Sequence, residues 1–133
     1  MEELQRLGVR ERVTLTGLVP PSEIPRLLSA SDIVAHTSQW EGLPRAVVQG
    51  LLLEKPVAAF AIDGTPEVVH DGETGRLLPL NDEVGFADAL CTLAGDAALR
   101  ARLGKAGRAL CVERFSAEKM VADLSALYRS SPR

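Results

Sequence analysis

The residue types best suited to chemistry lie between Ser38 and Gln49, in the string Ser-Gln-Trp-Glu-Gly-Leu-Pro-Arg-Ala-Val-Val-Gln. It runs from the end of an apolar stretch, Asp32-Ile33-Val34-Ala35-His36, into a helical pattern. The first turn of a helix has backbone N–H groups without internal partners, and the helix dipole adds positive character, so such a start attracts anions. Gly42, Leu43, Pro44, Arg45 and Ala46 would form this start, with Gly42 allowing close approach of a ligand to the backbone. Glu41 would sit beside a bound anion without facing it, placed to accept hydrogen bonds from hydroxyl groups. Gln49, eight residues on, falls about two turns into the expected helix. A pocket binding phosphate at one point and hydroxyls at two others suits a sugar nucleotide. Residue types alone leave Glu41 equally readable as an exposed turn acid, and Gln49 as an amide satisfied by nearby backbone.

These side chains need a scaffold, and hydrophobic patterning supplies one. Glu2 to Leu7 reads as the end of a helix stopped by Gly8. Val13–Thr16 is a short β-branched run closed by Gly17, expected as a strand. Ser22 is placed to cap a helix running to Ala30. Asp32–His36 and Pro56–Ile62 read as strands, and Arg76–Pro79 as a last short one. Between them fall a turn at Thr37–Glu41, a helix from Leu43 to Glu54 that tolerates Pro44 in its first turn, a helical turn at Pro66–His70, and turn chemistry at Asp71–Gly75. Three helices are expected over 83–94, 96–113 and 117–129. Leu99, Leu103 and Leu110 share one face of the second. Met120, Val121, Leu124, Leu127 and Tyr128 share one face of the third, which Ser116 caps. Strands alternating with helices predict an α/β fold with a partial Rossmann-like parallel sheet of about four strands, flanked by helices. Ligands of such sheets bind at the carboxyl ends of the strands, which points to the turns after Gly17, His36 and Ile62.

Composition excludes other classes. The 133 residues are 46% hydrophobic and 25% charged, with a net charge of −3. Lys and Arg are scattered, unlike the clustered basic face of a nucleic-acid-binding domain. Cys91 and Cys111 have neither metal-ligand spacing nor a nearby histidine, so no metal site and no cofactor is expected, and they read as reduced thiols of a cytoplasmic protein. The amino-terminal residues are charged and periodic, unlike a signal peptide. No apolar stretch reaches the ~20 residues of a membrane span. A phosphoryl-receiver domain would need acids closing its strands, whereas Asp32 opens one.

Taken together, the ordered pieces Val13–Gly17, Ala30–Val34, Ser38 with Glu41–Pro44, Lys55-Pro56-Val57, Gly64–Val69, Asp71–Gly75 and Glu113–Ser116 resemble glycosyltransferase family 4. That family has the GT-B fold and a Glu-x7-Glu motif, and the likeness covers nearly the whole chain. The resemblance implies that residues 1–133 form one incomplete donor-binding domain with a helical carboxyl-terminal part over about 83–130. It implies an enzyme that transfers a sugar from a nucleoside-diphosphate sugar with retention of configuration, in polysaccharide or glycoconjugate synthesis. The full-length protein would be cytoplasmic and peripheral at the membrane. Glu41 would bond the donor sugar's hydroxyls, the amides from Leu43 to Ala46 would face the diphosphate or sugar, and Ser38 and Leu18 would line the donor site, Leu18 in the base-contacting loop. His36 and Trp40 lie close by, as a packed strand-end histidine or ligand contact and as a flank of the sugar pocket or plain packing.

Three positions depart from the family's pattern. Gln49 stands where the second acid would hold the ribose hydroxyls. A neutral amide still offers an acceptor and donors, so weaker or altered ribose binding is expected. Glu54 replaces the glycine before Lys55-Pro56, and Asp63 replaces a glycine before Gly64. The family's acceptor domain, the first two strands of its donor domain and their Arg/Lys loop would also be missing, so this chain alone is expected to be inactive. The family's strand order would leave Val13–Thr16 without a neighbour, so that strand should slide beside Asp32–His36 or stay poorly paired. A stand-alone nucleotide- or phosphate-binding module without turnover is the alternative.

Overall fold

Val57 to Phe60 is buried along its whole length, and the architecture follows from that. A computed structural model describes residues 2–130. Strand β1 (Val34–His36) lies on one side of β2 (Val57–Phe60) and β3 (Gly75–Leu78) on the other, all parallel. The register sets Val34 against Val57 and His36 against Ala59, then Val57 against Gly75 and Phe60 against Leu78. Successive side chains of β2 alternate between two cores, as a pleated strand requires. Ala58 and Phe60 pack with Leu78, Phe86, Ala89, Leu93 and Leu103 on one face. Val57 and Ala59 pack with Val47, Leu51, Val68, Val69 and Cys111 on the other. This is a small open α/β sheet with helices covering both faces.

The helices are α1 (Glu2–Arg6), α2 (Ile24–Ala30), α3 (Arg45–Leu52), α4 (Glu83–Gly95), α5 (Ala97–Arg114) and α6 (Ala117–Ser130). Those after β3 begin where short polar side chains cap them. Asp82 accepts from the Gly85 N–H at 2.9 Å, Asp96 from Leu99 at 2.8 Å and Ser116 from Lys119 at 3.1 Å. Helix α5 approaches α3 through Gly104 and Gly107, both buried. Helix α6 buries no residue, and Met120, Val121, Leu124, Leu127 and Tyr128 are exposed along it.

Three sequence expectations fail here. Val13–Thr16 is no strand, so the sheet has three strands and not four. Its β-branched residues favour extension, but a strand needs a paired neighbour, and this run stays largely exposed. Of the two fates expected, poor pairing is the one found. Ser22 caps nothing: Pro21–Glu23 form a 3₁₀ turn that leads directly into α2, where Glu23 is the cap position and its side chain caps no N–H. Helix α3 starts at Arg45, with the buried Pro44 as its extended cap residue, and ends at Leu52. The residue before a proline avoids the helical region, so Leu43 cannot join the helix.

The end of α3 shows how the chain manages without glycine at position 54. Glu54 itself takes the left-handed conformation, φ 58°. The Glu54 N–H bonds to the Leu51 carbonyl at 2.9 Å and the Lys55 N–H to that of Gly50 at 3.0 Å, a Schellman closure. A non-glycine residue there costs about 1–2 kcal/mol, partly offset by an exposed ion pair between Glu54 and Arg108 at 3.3 Å.

The turn before β3 is held by Asp71, whose Oδ1 accepts from Arg76 Nε at 2.9 Å and from the Leu77 N–H at 3.0 Å. Burial pushes this carboxyl's pKa up, but the Leu77 and Arg76 bonds and the guanidinium charge outweigh it, so it lies below the usual aspartate value. A depressed carboxyl contributes stability above its unfolded pKa and loses it as pH falls through the folded one. The side chain is 53% exposed, so screening limits its worth. Asp71→Asn is expected to cost about 0.5 kcal/mol at neutral pH, a gap that closes as pH falls below about 3.9. Urea midpoints of both proteins across that range check this. The two thiols should differ as well. Burial raises the Cys111 pKa to about 11, while Cys91 is exposed. Thiol-reactive dye should modify Cys91 alone until the chain is unfolded, read by mass spectrometry.

Candidate functional site

The site stands on the carboxyl rim of the sheet. His36 ends β1, and the chain then runs through Ser38 and Glu41 to the cap of α3. Pro44 has no side-chain donor or acceptor to cap the helix. Among the described residues no backbone carbonyl accepts from Arg45 or Ala46, whereas the N–H groups of Val47 and Val48 bond to the Pro44 carbonyl at 3.1 and 3.2 Å. Two N–H groups at the positive end of the helix therefore remain available to an anion. Pro44 adds no donor, so the expected amide run from Leu43 to Ala46 holds three N–H groups and not four.

The loop before the helix is clamped from the turn after β2. The Glu41 N–H donates to Asp63 Oδ2 at 2.8 Å, and the Gly64 N–H donates to the Gly42 carbonyl at 3.1 Å. Asp63 takes φ 41° to do this, the region glycine favours. It keeps the glycine-like conformation and adds a carboxylate that binds the Glu41 backbone. Gly64 is required for space: a Cβ there would lie 2.5 Å from the Gly42 carbonyl oxygen. A third tie crosses the rim where Gln39 Nε2 donates to Asn81 Oδ1 at 3.3 Å.

Glu41 keeps its side chain 31% exposed, with Oε1 3.4 Å from His36 Nε2. That separation is within reach for an ion pair, yet the imidazole nitrogen makes no hydrogen bond and is buried. Thr65 Oγ1 is likewise buried without a partner. Sequence reasoning gave His36 no settled role, and nothing in the pattern pointed to Asp63 as a clamp, because the bond joins residues 22 apart.

The remaining expected residues divide. Leu43, Arg45 and Gln49 line a groove of about 780 Å³ whose far wall is Phe115, Met120 and Leu124. Because α3 starts late, Gln49 is its fifth residue, little more than one turn in. Ala46 is exposed on the first turn, and Ser38 is half-buried on the approach. Leu18 is fully exposed, and no hydrogen bond ties it to Glu41 or α3. Trp40 is 82% exposed beside Glu41. No described helix is long and apolar enough to cross a membrane.

A parallel sheet with its site on this rim is a Rossmann-like half-domain of the kind found in GT-B glycosyltransferases. The pattern of the family described as "Glycosyl transferases group 1" matches residues 1–110, and the chain belongs to that family. It is 29% identical over 122 residues to an alpha-D-kanosaminyltransferase of Streptomyces kanamyceticus, covering 92% of this chain and 32% of that protein. It is 34% identical over 127 residues to a D-inositol 3-phosphate glycosyltransferase of Corynebacterium glutamicum, covering 96% of this chain and 30% of that one. The chain thus spans about a third of the length of these relatives. Among solved structures, Anabaena HepE in complex with UDP superposes with a TM-score of 0.91 at 29% identity, over 98% of this chain and 35% of that one. A second HepE structure holds UDP-glucose, with a TM-score of 0.90.

Proposed function

We propose that the chain is the donor-binding part of a retaining glycosyltransferase of family 4, acting on a nucleoside-diphosphate sugar in polysaccharide or glycoconjugate synthesis. One observation carries the reading: two free N–H groups open α3 directly after a clamped loop that presents an accessible carboxylate. The HepE complexes support it, since UDP and UDP-glucose are the ligands of similar folds.

On this reading the Arg45 and Ala46 N–H groups and the helix dipole meet the diphosphate, whose negative charge grows as the sugar departs. The Arg45 side chain, exposed at the first helical position, adds a full positive charge. Glu41 accepts hydrogen bonds from sugar hydroxyls at the side of the anion. Gln49 bonds the ribose hydroxyls from the groove it shares with Leu43 and Arg45. Transfer needs an acceptor half as well, so this chain is expected to bind donor without turning it over.

Trp40, the chain's single tryptophan, reports on the test. UDP-glucose is expected to change its emission saturably, and inorganic phosphate to do so far more weakly. Flat emission together with no binding heat for UDP-glucose would refute the proposal.

A further inference from the structure

We infer that His36 is a positioning residue whose buried Nε2–H holds the Glu41 carboxylate in the orientation that meets a donor sugar. The inference rests on the reading of Glu41 as the sugar-binding acid.

His36 ends β1, opposite Ala59 of the central strand, so its backbone is as fixed as the sheet. Its Nε2 is buried without a hydrogen-bond partner, a state that native proteins rarely leave uncompensated. A nitrogen so buried cannot itself reach a ligand at the start of α3. Its near acceptor is Glu41 Oε1 at 3.4 Å, longer than the usual 2.7–3.2 Å and without the geometry of a hydrogen bond.

The Glu41 backbone has little room to move. Asp63 holds its N–H at 2.8 Å, and Gly64 holds the next carbonyl at 3.1 Å. The remaining freedom is the Glu41 side-chain torsions, and the inference requires a rotation about them that brings the carboxylate onto His36 Nε2. A carboxylate offers about four lone-pair sites, so one bond to His36 leaves the rest for hydroxyls. The carboxylate is 31% exposed, so it has an open side to receive them. Without His36 the carboxylate would sample several rotamers, and sugar binding would have to order it.

The test uses the full chain, with UDP-glucose and UDP measured by calorimetry. His36→Phe keeps a ring but removes the donor. It is expected to weaken UDP-glucose binding about 5- to 10-fold while UDP stays within about twofold. His36→Gln restores an N–H and should recover most of the loss. His36→Phe combined with Glu41→Ala should bind no worse than Glu41→Ala alone. Equal weakening of both nucleotides, or wild-type binding of UDP-glucose by His36→Phe, overturns the inference and leaves the Glu41 reading standing. If Glu41→Ala leaves UDP-glucose binding unchanged, the reading fails and the inference falls with it. If the chain binds neither nucleotide, the donor-binding reading fails and the inference falls with it. Ring ¹⁵N shifts test the contact separately: a proton on Nδ1, or a shift that Glu41→Ala leaves unmoved, overturns the inference even where both nucleotides bind.

Discussion

Gly104→Ala is expected to destabilise the chain by at least about 3 kcal/mol, although alanine is the better helix former. Propensity alone predicts a gain of about 1 kcal/mol. Packing predicts the opposite sign and a larger size. A Cβ at Gly104 would stand 2.0 Å from the Glu54 carbonyl oxygen and 2.6 Å from its carbon. Both are backbone atoms in a left-handed residue that closes α3, so no side-chain rotation relieves the clash. Helix α5 must lift away, uncovering Leu51 and Cys111, which are buried between the helices and the sheet. Gly95 provides the control, since a Cβ there meets nothing within 4 Å. Gly95→Ala should be neutral or stabilising. Denaturant melts of the three proteins check both signs, and a Gly104→Ala protein as stable as its parent would contradict the packing described.

Glu41→Ala is expected to cost about 10- to 100-fold in UDP-glucose affinity, the worth of one hydrogen bond to a charged group at about 1.5–3 kcal/mol. Affinity for UDP should stay level or rise, because the substitution also removes a negative charge beside a bound diphosphate. The ratio of the two affinities is therefore the quantity to measure by calorimetry. A parallel loss for both ligands would mean that Glu41 supports the loop and does not grip the sugar.

Much of the fold could be read from residue order because apolar runs announce buried strands. Pro56–Ile62 has no polar side chain to face water, and its centre is the fully buried β2. The helices after β3 were equally plain, since Ser116 and the leucine spacing mark ends and faces. Val13–Thr16 misled because strand propensity is local while pairing is not. Ser22 misled because flanking prolines tighten the chain into a 3₁₀ turn before the helix begins. The site's outline, Glu41 followed by a helix start, was legible from types and spacing. What holds it was not. The Asp63 and Gly64 contacts reach across from another strand's turn, and Asp63 looked like a loss of backbone freedom when it is a hydrogen-bond acceptor. Glu54 likewise read as a missing glycine, yet it adopts the glycine conformation itself.

Amide shifts of the ¹⁵N-labelled chain, followed while UDP-glucose is added, probe the helix start most directly. The largest movements should fall on the N–H groups of Leu43, Arg45 and Ala46, with Glu41 and Gly42 beside them. Movements centred on α6 or elsewhere, with those five amides unchanged, would mean that the start of α3 holds no diphosphate.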